Sequence, residues 1–488
     1  MLYPRLYLAR NLLRDDGLLV VSADDSEFNN PRTLLNEIYG EENFVATLVF
    51  DRNRKNDAKL FSVGHEYMIV FARDKGLLTE LNTRLRAPKE GVEEVRDEFD
   101  RLRKLHGDNW KLVEEGLTDY FSTFNDNDPR VPLARFNKVD ERGPCRTDGD
   151  PSWPGGGGPR YSVPHPVTGE PCKIPSRGWV WATYARMKEE IEKGNVVFGP
   201  DQTTIPAVRR NLFDRDEQVM RSVIFSYAQK ASQEFARLFD GKKVFDNPKS
   251  YIDLERLVEY LSQPGDLILD FFAGSGTTAH GVLLANRKSS VHRRFICVQL
   301  PEPVDDDTEA GRNALSLGLR SISDICKERV RRVITGLKEG KLDLEGSHKE
   351  LGFRVFKLAE SNFQTWNANV PLGEIRNVEK QLEMHVDHVR AGRTNDDLLY
   401  EILLKSGYPL TTTVKRISLD GQTFYSVAGG LLLVCLENEI KHELIKGMAD
   451  RKRERVVCLD EGFAGNDQLK ANAVQTMKAK GVTSFKTV

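Results

Sequence analysis

One stretch constrains this chain more than any other: Asp266-Leu-Ile-Leu-Asp270-Phe-Phe-Ala-Gly274-Ser-Gly276-Thr-Thr-Ala-His280. The apolar run Leu267–Leu269 is short and bounded by Pro264-Gly265 and by the glycines, so it predicts a central, buried parallel strand rather than a helix. Gly274 and Gly276 allow a tight turn and let a ligand approach where a Cβ would collide. Thr277 and Thr278 then open a helix whose first amides lack intrahelical acceptors and face that ligand. Strand, glycine turn and helix N-terminus together predict a cradle for a nucleoside-containing cofactor.

Three ligands use such a turn, and the residues separate them. A phosphate-binding loop of the nucleotide-hydrolase type needs Lys and then Ser or Thr after its last glycine, whereas Gly276 is followed by Thr277 and Thr278. ATP is disfavoured. A dinucleotide is harder to exclude, because Gly274-x-Gly276-x-x-Ala279 satisfies the relaxed fingerprint. Asp270 at the strand end argues against it, since a carboxylate there repels a pyrophosphate. The same carboxylate can hold the ammonium of S-adenosylmethionine, whose sulfonium tolerates nearby negative charge. The next strand, Arg294-Phe-Ile-Cys-Val-Gln-Leu-Pro-Glu302, is read as ending in a second acid, placed to accept hydrogen bonds from ribose hydroxyls. A methyl donor is therefore preferred to NAD or a flavin.

A chain of 488 residues is long enough for about three domains. No apolar stretch approaches the roughly 18–20 residues of a membrane span. The N-terminus lacks a secretory signal and reads as the inside of a helix, which suggests a missing upstream piece. Formal charge is −2, so a nucleic-acid surface has to come from local clustering. The six cysteines, Cys145, Cys172, Cys297, Cys326, Cys435 and Cys458, show no C-x-x-C spacing. That argues against zinc and against a disulfide framework, and favours a reducing cytoplasm.

Leucines at helical spacing over residues 5–15 end at Asp15-Asp16-Gly17, and the strand Leu18–Ala23 follows. Two more strand candidates, Phe44–Phe50 and Tyr67–Phe71, flank the polar loop Asp51–Gly64. These segments make residues 1–75 half of an α/β sheet. Residues 76–240 are looser, with a Gly- and Pro-rich stretch over 143–178 that reads as a long functional or disordered loop. The pattern resumes over 241–340, with a helix over 251–262, the glycine motif, the strand toward Glu302 and a basic helix around Lys327–Arg332. Gly336–Ser347 reads as a linker to a separate domain over 341–488, with strands at Gly352–Phe356, Gln422–Ser426 and Leu431–Leu436.

Taken together these segments resemble the modification (methyltransferase) subunits of type III DNA restriction-modification systems, within the circularly permuted β-class of amino-methyltransferases. The resemblance rests on Arg5-Leu-x-Leu-Ala-Arg10 with Asp16-Gly17, Ser22-Ala-Asp-Asp25, His65-Glu66-Tyr67, His165-Pro-Val-Thr-Gly169 with Gly178-Trp179-Val-Trp181, Phe245-Asp-Asn-Pro-Lys249, and Asp270 to Gly276. Further along, Leu351-Gly-Phe353, Ser361-Asn-Phe363, Leu399-Tyr-Glu-Ile402 and Leu459-Asp-Glu-Gly-Phe463 through Lys470 and Asn472 resemble the family's C-terminal domain. The resemblance implies a Rossmann-like sheet in permuted order and S-adenosyl-L-methionine as donor. It implies a donor site at Asp270, Phe272, Gly274, Gly276, Thr277, Glu302 and Lys249. It also implies adenine in double-stranded DNA as acceptor, a target-recognition region over 76–240, and a C-terminal domain that supports a homodimer and contact with a helicase-nuclease restriction subunit.

One departure matters. The family's acceptor chemistry rests on an Asp-Pro-Pro-Tyr tetrad or its Asn or Ser variant, and all 21 prolines here are isolated. An aromatic amine is a poor nucleophile, so a carboxylate and a backbone carbonyl must accept its hydrogens while a tyrosine stacks on the flipped base. The tetrad ends the strand that lies, in the family, between the glycine-motif strand and Leu18–Ala23. Without it two neighbours lose a pairing partner, at about 1–3 kcal/mol per buried unsatisfied group. The expectation is an N-terminally truncated subunit, inactive alone, with no catalytic residue to assign. A non-catalytic, complex-forming remnant and a dinucleotide-dependent oxidoreductase are the alternatives.

Several features also have bland readings. His65 and Glu66 are either a satisfied pair at a strand edge or groups near the target base. Asp24 and Asp25 read as helix-capping acids rather than catalytic ones, and Trp179 and Trp181 as core residues on one side of a strand, with base stacking as the lesser alternative. Arg329, Arg331 and Arg332 read as a solvated basic face, whereas Arg209-Arg210 with Arg215 and Arg221 is favoured for phosphate contact. The stretch 450–455 reads as a surface loop.

Overall fold

The computed structural model of the chain describes residues 2–488 apart from 53–58, 125–127, 129, 215–216, 227, 290–291, 340–350, 365–388, 452–453 and 464. Two compact units divide it, Met1–Leu351 and Gly352–Val488.

The first unit opens with α1 (Leu2–Leu12), β1 (Leu18–Ala23), α2 (Asn29–Tyr39), β2 (Phe44–Asp51) and β3 (His65–Ala72). β3 lies between β1 and β2 and is antiparallel to both, with Val20 opposite Val70 and Thr47 opposite Ile69. Its apolar run carries most of the burial: Met68 through Ala72 are all buried. Leu6 of α1 and Leu35, Ile38 and Tyr39 of α2 pack on one face of this sheet with Leu19, Ile69 and Phe71.

The middle of the unit holds α3 (Lys75–Glu80), β4 (Arg86–Pro88), α4 (Val92–His106), α5 (Trp110–Ser122), β5 (Lys138–Asp140), β6 (Gly143–Gly149), α6 (Tyr184–Glu192), β7 (Val196–Val197), β8 (Ala207–Asn211) and β9 (Glu217–Val219). A helical hairpin packs Val95, Phe99 and Leu102 of α4 against Val113, Leu117 and Phe121 of α5. β5, β6, β8 and β7 form an antiparallel sheet in that order. The Gly- and Pro-rich stretch is a structured loop. Trp179 is fully buried and donates its indole N–H to the Tyr161 carbonyl at 2.9 Å. Gly178 has φ +79°, and a Cβ there would lie 2.3 Å from the Gly158 carbonyl oxygen. Trp179 and Trp181 share one apolar cluster, so the core reading holds, but only an isolated bridge at Trp179 replaces the expected strand.

β10 (Val223–Phe225) returns to the first sheet parallel to β2. After α7 (Ala228–Arg237) come α8 (Tyr251–Leu261), β11 (Leu267–Asp270), α9 (Thr277–Ser289), β12 (Arg294–Cys297), α10 (Glu309–Ser316) and α11 (Ile322–Lys338). A capping box starts α11: Ser321 Oγ accepts from the Asp324 amide and Asp324 Oδ2 accepts from the Ser321 amide.

β11 and β12 are parallel, as expected, but form a two-stranded sheet, so β11 is not central. Among the described residues β1 pairs only with β3 and β11 only with β12. The two edges are nonetheless tied at one end. Arg14 Nη1, just before β1, meets Asp266 Oδ1, just before β11, at 2.9 Å, and Phe271 packs beside Leu6 and Leu19. Because β11 has a neighbour on one side only, its burial falls short of the expectation: Leu267 is 51% exposed, and Ile296 and Val298 beyond it are 47% and 49% exposed.

The second unit is a five-stranded sheet built from β13 (Val414–Leu419), β14 (Gln422–Val427), β15 (Leu432–Cys435), β16 (Arg455–Cys458) and β17 (Ser484–Thr487), in sequence order. β15 is buried on both faces, so its residues read as an unbroken apolar run. Leu432 and Val434 pack with the helix Asn395–Lys405, whereas Leu433 and Cys435 pack with the helices His442–Ala449 and Asp467–Ala479. The expected strands at 422–426 and 431–436 are present, and Gly352–Phe356 is not a strand. Of the 450–455 stretch, 452–453 lie outside the described residues and Arg455 begins β16. No helix among the described residues is long and apolar enough to cross a membrane.

Candidate functional site

At the C-terminal end of β11 the chain turns through the two glycines and enters α9. The turn is held by Ala273 N–H to the Val298 carbonyl at 3.1 Å, Gly276 N–H to the Ala273 carbonyl at 2.8 Å and Gly274 N–H to Gln299 Oε1 at 2.8 Å. The glycines are needed for different reasons. Gly276 has φ +79°, and a Cβ there would meet Cys326 Sγ of α11 at 2.9 Å. Gly274 has φ +52°, and the nearest atom to a Cβ there is the Phe272 carbonyl oxygen at 3.9 Å. Gly276 therefore lets the turn pack down on α11, whereas Gly274 keeps the open side clear.

Asp270 braces this turn. Its Oδ2 accepts from the Thr278 hydroxyl at 2.6 Å and its Oδ1 from the Phe272 amide at 3.1 Å. Phe272 is 58% exposed beside the turn, with the Arg5 guanidinium 5.8 Å from its ring centroid. Thr277 is buried and its hydroxyl points back to α11 rather than outward. Glu302 corrects the expectation for the second acid. β12 ends at Cys297, and Glu302 lies exposed in the following loop, where its carbonyl accepts from Ile322 N–H at 2.8 Å. Strand pairing stops once β11 has itself turned away at Asp270, whose carbonyl accepts the last bond, from Val298 N–H.

Lys249 stands just before α8 and pairs with Glu66 at the start of β3. Glu66 also meets Arg52 Nη2 at 3.3 Å, and Arg52 Nη1 reaches Asp253 Oδ2 of α8 at 2.6 Å and Ser226 Oγ at 2.8 Å. Burial works against ionisation of Glu66, but the bonds and charges of Lys249 and Arg52 outweigh it and hold its carboxyl below the usual range. This network joins the ends of β2 and β3 to α8, so the Glu66 of the His-Glu-Tyr motif is a tether for the Lys249 segment. Its neighbours do something else: His65 Nε2 lies 2.7 Å from the Tyr67 hydroxyl, which donates to Asp25 Oδ1 at 3.1 Å. Asp24 accepts from the Ser26 hydroxyl and the Glu27 amide, so it braces the turn before α2 rather than capping the helix as expected; the N-cap position itself is Phe28, which makes no side-chain cap.

The basic readings need two corrections. Arg329 is 1% exposed and does not belong to a solvated face. Its Nη1 donates to Ser275 Oγ at 3.0 Å and Thr277 Oγ1 at 2.7 Å, and its Nε and Nη2 each lie 3.4 Å from His280 Nδ1. The sequence offered one signal for this: Arg329 falls four residues after Ile325 and four before Val333, on the apolar stripe of α11. Arg209, favoured for phosphate, is held inside the fold by Asp140 at 2.5 Å and by Asn211. Arg210 lines a cavity of about 280 Å³ with Lys89, Phe136, Arg146 and Asn211, Arg221 is exposed, and Arg215 lies outside the described residues. Among the described residues the one acidic grouping close enough to share an ion is Asp305, Asp306 and Asp307, all exposed on a loop.

The turn is thus open above Gly274, has the Asp270 carboxylate at the end of β11 and leads directly into the N-terminus of α9. Comparison with known proteins assigns the class. Residues 1–306 match the family described as DNA methylase (N6_N4_Mtase), and the chain belongs to that family. Its relatives are mainly type III modification subunits. It is 30% identical over 471 residues to the type III restriction-modification enzyme EcoP15I Mod subunit of Escherichia coli, covering 95% of this chain and 67% of that protein. It is 28% identical over 485 residues to the EcoPI Mod subunit of Escherichia phage P1, with the same coverages. The type II methyltransferase M.KpnI of Klebsiella pneumoniae is 26% identical over 353 residues, 68% of this chain and 73% of that one.

Proposed function

We propose that this chain carries the S-adenosylmethionine-binding half and the C-terminal domain of a type III modification subunit that methylates adenine N6 in double-stranded DNA. The observation that carries this reading is the glycine turn after β11, braced by Asp270 and open above Gly274. In it, Asp270 and the α9 amides hold the methionine end of the donor, Phe272 offers a ring face to the adenine, and Glu302 and Lys249 contribute from the two flanking loops. Bound there, the cofactor supplies an electrophilic methyl group. The chain's own residues hold and orient it. The sheet order is permuted relative to a Rossmann fold that begins at its glycine turn, since here that turn comes late in the sequence.

Nothing among the 488 residues supplies the Asp-Pro-Pro-Tyr tetrad. Among the described residues β1 and β11 each pair with one strand, and their other edges, tied at one end by Arg14 and Asp266, fit a strand bearing such a tetrad between them. On this reading the chain binds donor and does not transfer methyl groups by itself. Residues 76–240 would read the DNA target, and residues 341–488 would support dimerisation and contact with a restriction subunit. Calorimetry with S-adenosylmethionine tests the donor site, and radiolabelled transfer to DNA tests the missing acceptor site. Transfer by the chain alone at the rate of an intact enzyme would refute the second part.

A further inference from the structure

We infer that Arg329 is a positioning residue for the methyl donor, a clamp that fixes the glycine turn and the Lys249 segment relative to each other. The inference rests on the donor-site reading above and deepens it. The guanidinium sits beneath the turn and reaches two of its side chains, Ser275 and Thr277, with one nitrogen. Its other two nitrogens face His280, one turn into α9. The His280 ring stacks on Tyr251, with centroids 4.3 Å apart and planes 19° apart. Tyr251 is the first residue of α8, two positions after Lys249. A continuous run of contacts therefore joins α11, both sides of the glycine turn and the start of the lysine segment.

The chemistry of this hub is unusual for a packing residue. Among the described residues no carboxylate pairs with Arg329; its acceptors are two hydroxyls and an imidazole, and its guanidinium carbon lies 4.8 Å from the Phe235 ring centroid. Burial lowers its pKa to about 10, so it remains a cation at neutral pH. Burial and the neighbouring Arg329 charge push His280 down to about 3, so the imidazole is neutral and its Nδ1 presents a lone pair to the guanidinium. A buried cation without a counter-charge is a costly way to fill space, and an apolar side chain of similar volume would hold α9 and α11 together more cheaply. What an apolar chain cannot do is fix the Ser275 and Thr277 hydroxyls, and with them the direction of the backbone on either side of Gly276.

The test uses the full chain and compares Arg329→Met, of similar length but apolar, with Arg329→Lys, which keeps one charged donor group. Hydrogen exchange without ligand and calorimetry with S-adenosylmethionine are measured together. The expected result for Arg329→Met is faster exchange confined to residues 273–280 and 249–253, an unfolding midpoint close to wild type, and donor affinity lower by roughly 10- to 100-fold. Arg329→Lys should recover part of both effects. Unchanged exchange at the turn in Arg329→Met would overturn the inference. So would faster exchange throughout the first unit, which would mark Arg329 as a general packing residue. If wild type binds no S-adenosylmethionine, the donor-site reading fails, and exchange at the turn still decides whether Arg329 is a clamp.

Discussion

Replacing each of the two turn glycines with alanine should separate folding from binding, because the space around them differs. At Gly276 an L-residue must hold φ +79°, which costs about 1–2 kcal/mol. Its Cβ would also press on Cys326 Sγ at 2.9 Å and the Cys326 carbonyl oxygen at 3.3 Å. Cys326 belongs to α11 and is buried, so relieving that contact means moving a packed helix, at about 1–3 kcal/mol. Gly276→Ala should therefore destabilise the first unit by about 2–5 kcal/mol. At Gly274 the backbone strain is similar or smaller, φ +52°, and no protein atom lies closer than 3.9 Å to the new methyl group. Gly274→Ala should cost no more than about 1–2 kcal/mol, yet its methyl group enters the space assigned to the donor and should weaken binding by roughly tenfold or more. Urea unfolding followed by tryptophan fluorescence reports mainly on the first unit, which contains four of the five tryptophans, Trp110, Trp153, Trp179 and Trp181. Calorimetry reports the affinity. If Gly276→Ala is no less stable than Gly274→Ala, or if Gly274→Ala binds donor like wild type, the assignment of the two glycines is wrong.

Three other outcomes follow from the same geometry. His280 is neutral in the fold at about pKa 3 but titrates near 6.5 in the unfolded chain, so its contribution is complete above that pH and is lost as pH falls toward 3. The first unit should lose about 2 kcal/mol between pH 7 and pH 5, and His280→Gln should flatten that slope. Asp253→Ala strips the buried Arg52 of its 2.6 Å partner and should cost about 3–5 kcal/mol in denaturant unfolding, whereas a change within 1 kcal/mol would show the pair to be dispensable. Glu66→Gln releases Lys249 from its anionic tether. It should lower donor affinity without abolishing folding, and hydrogen exchange at residues 249–253 should rise with it.

The glycine turn was legible because its signals are local. A short apolar run, two glycines and two threonines specify strand, turn and helix whatever surrounds them, and Asp270 at the strand end adds chemistry at a fixed position. The helix–strand–helix opening of the chain was legible for the same reason. What escaped depends on contacts distant in sequence. Nothing near Arg329 in the sequence shows that Ser275, Thr277 and His280 will surround it, so a run of arginines looked like a solvent-facing surface. The Lys249–Glu66 pair spans 183 residues and joins segments that were read separately. The apolar pattern continues past Cys297 toward Glu302, but a strand lasts only while its partner runs alongside, and β11 turns away at Asp270. The irregular stretch over 143–178 is ordered by backbone bonds such as His165 N–H to the Glu170 carbonyl and by buried Trp179, neither of which composition reveals.

The central claim is that the turn after β11 holds a sulfonium nucleoside rather than a dinucleotide. Isothermal titration of the purified chain with S-adenosylmethionine and, separately, with NAD addresses it directly. Saturable one-to-one binding of S-adenosylmethionine, weakened in Gly274→Ala, with no heat from NAD, is the predicted result. Tight uptake of NAD by a protein that ignores S-adenosylmethionine would contradict it.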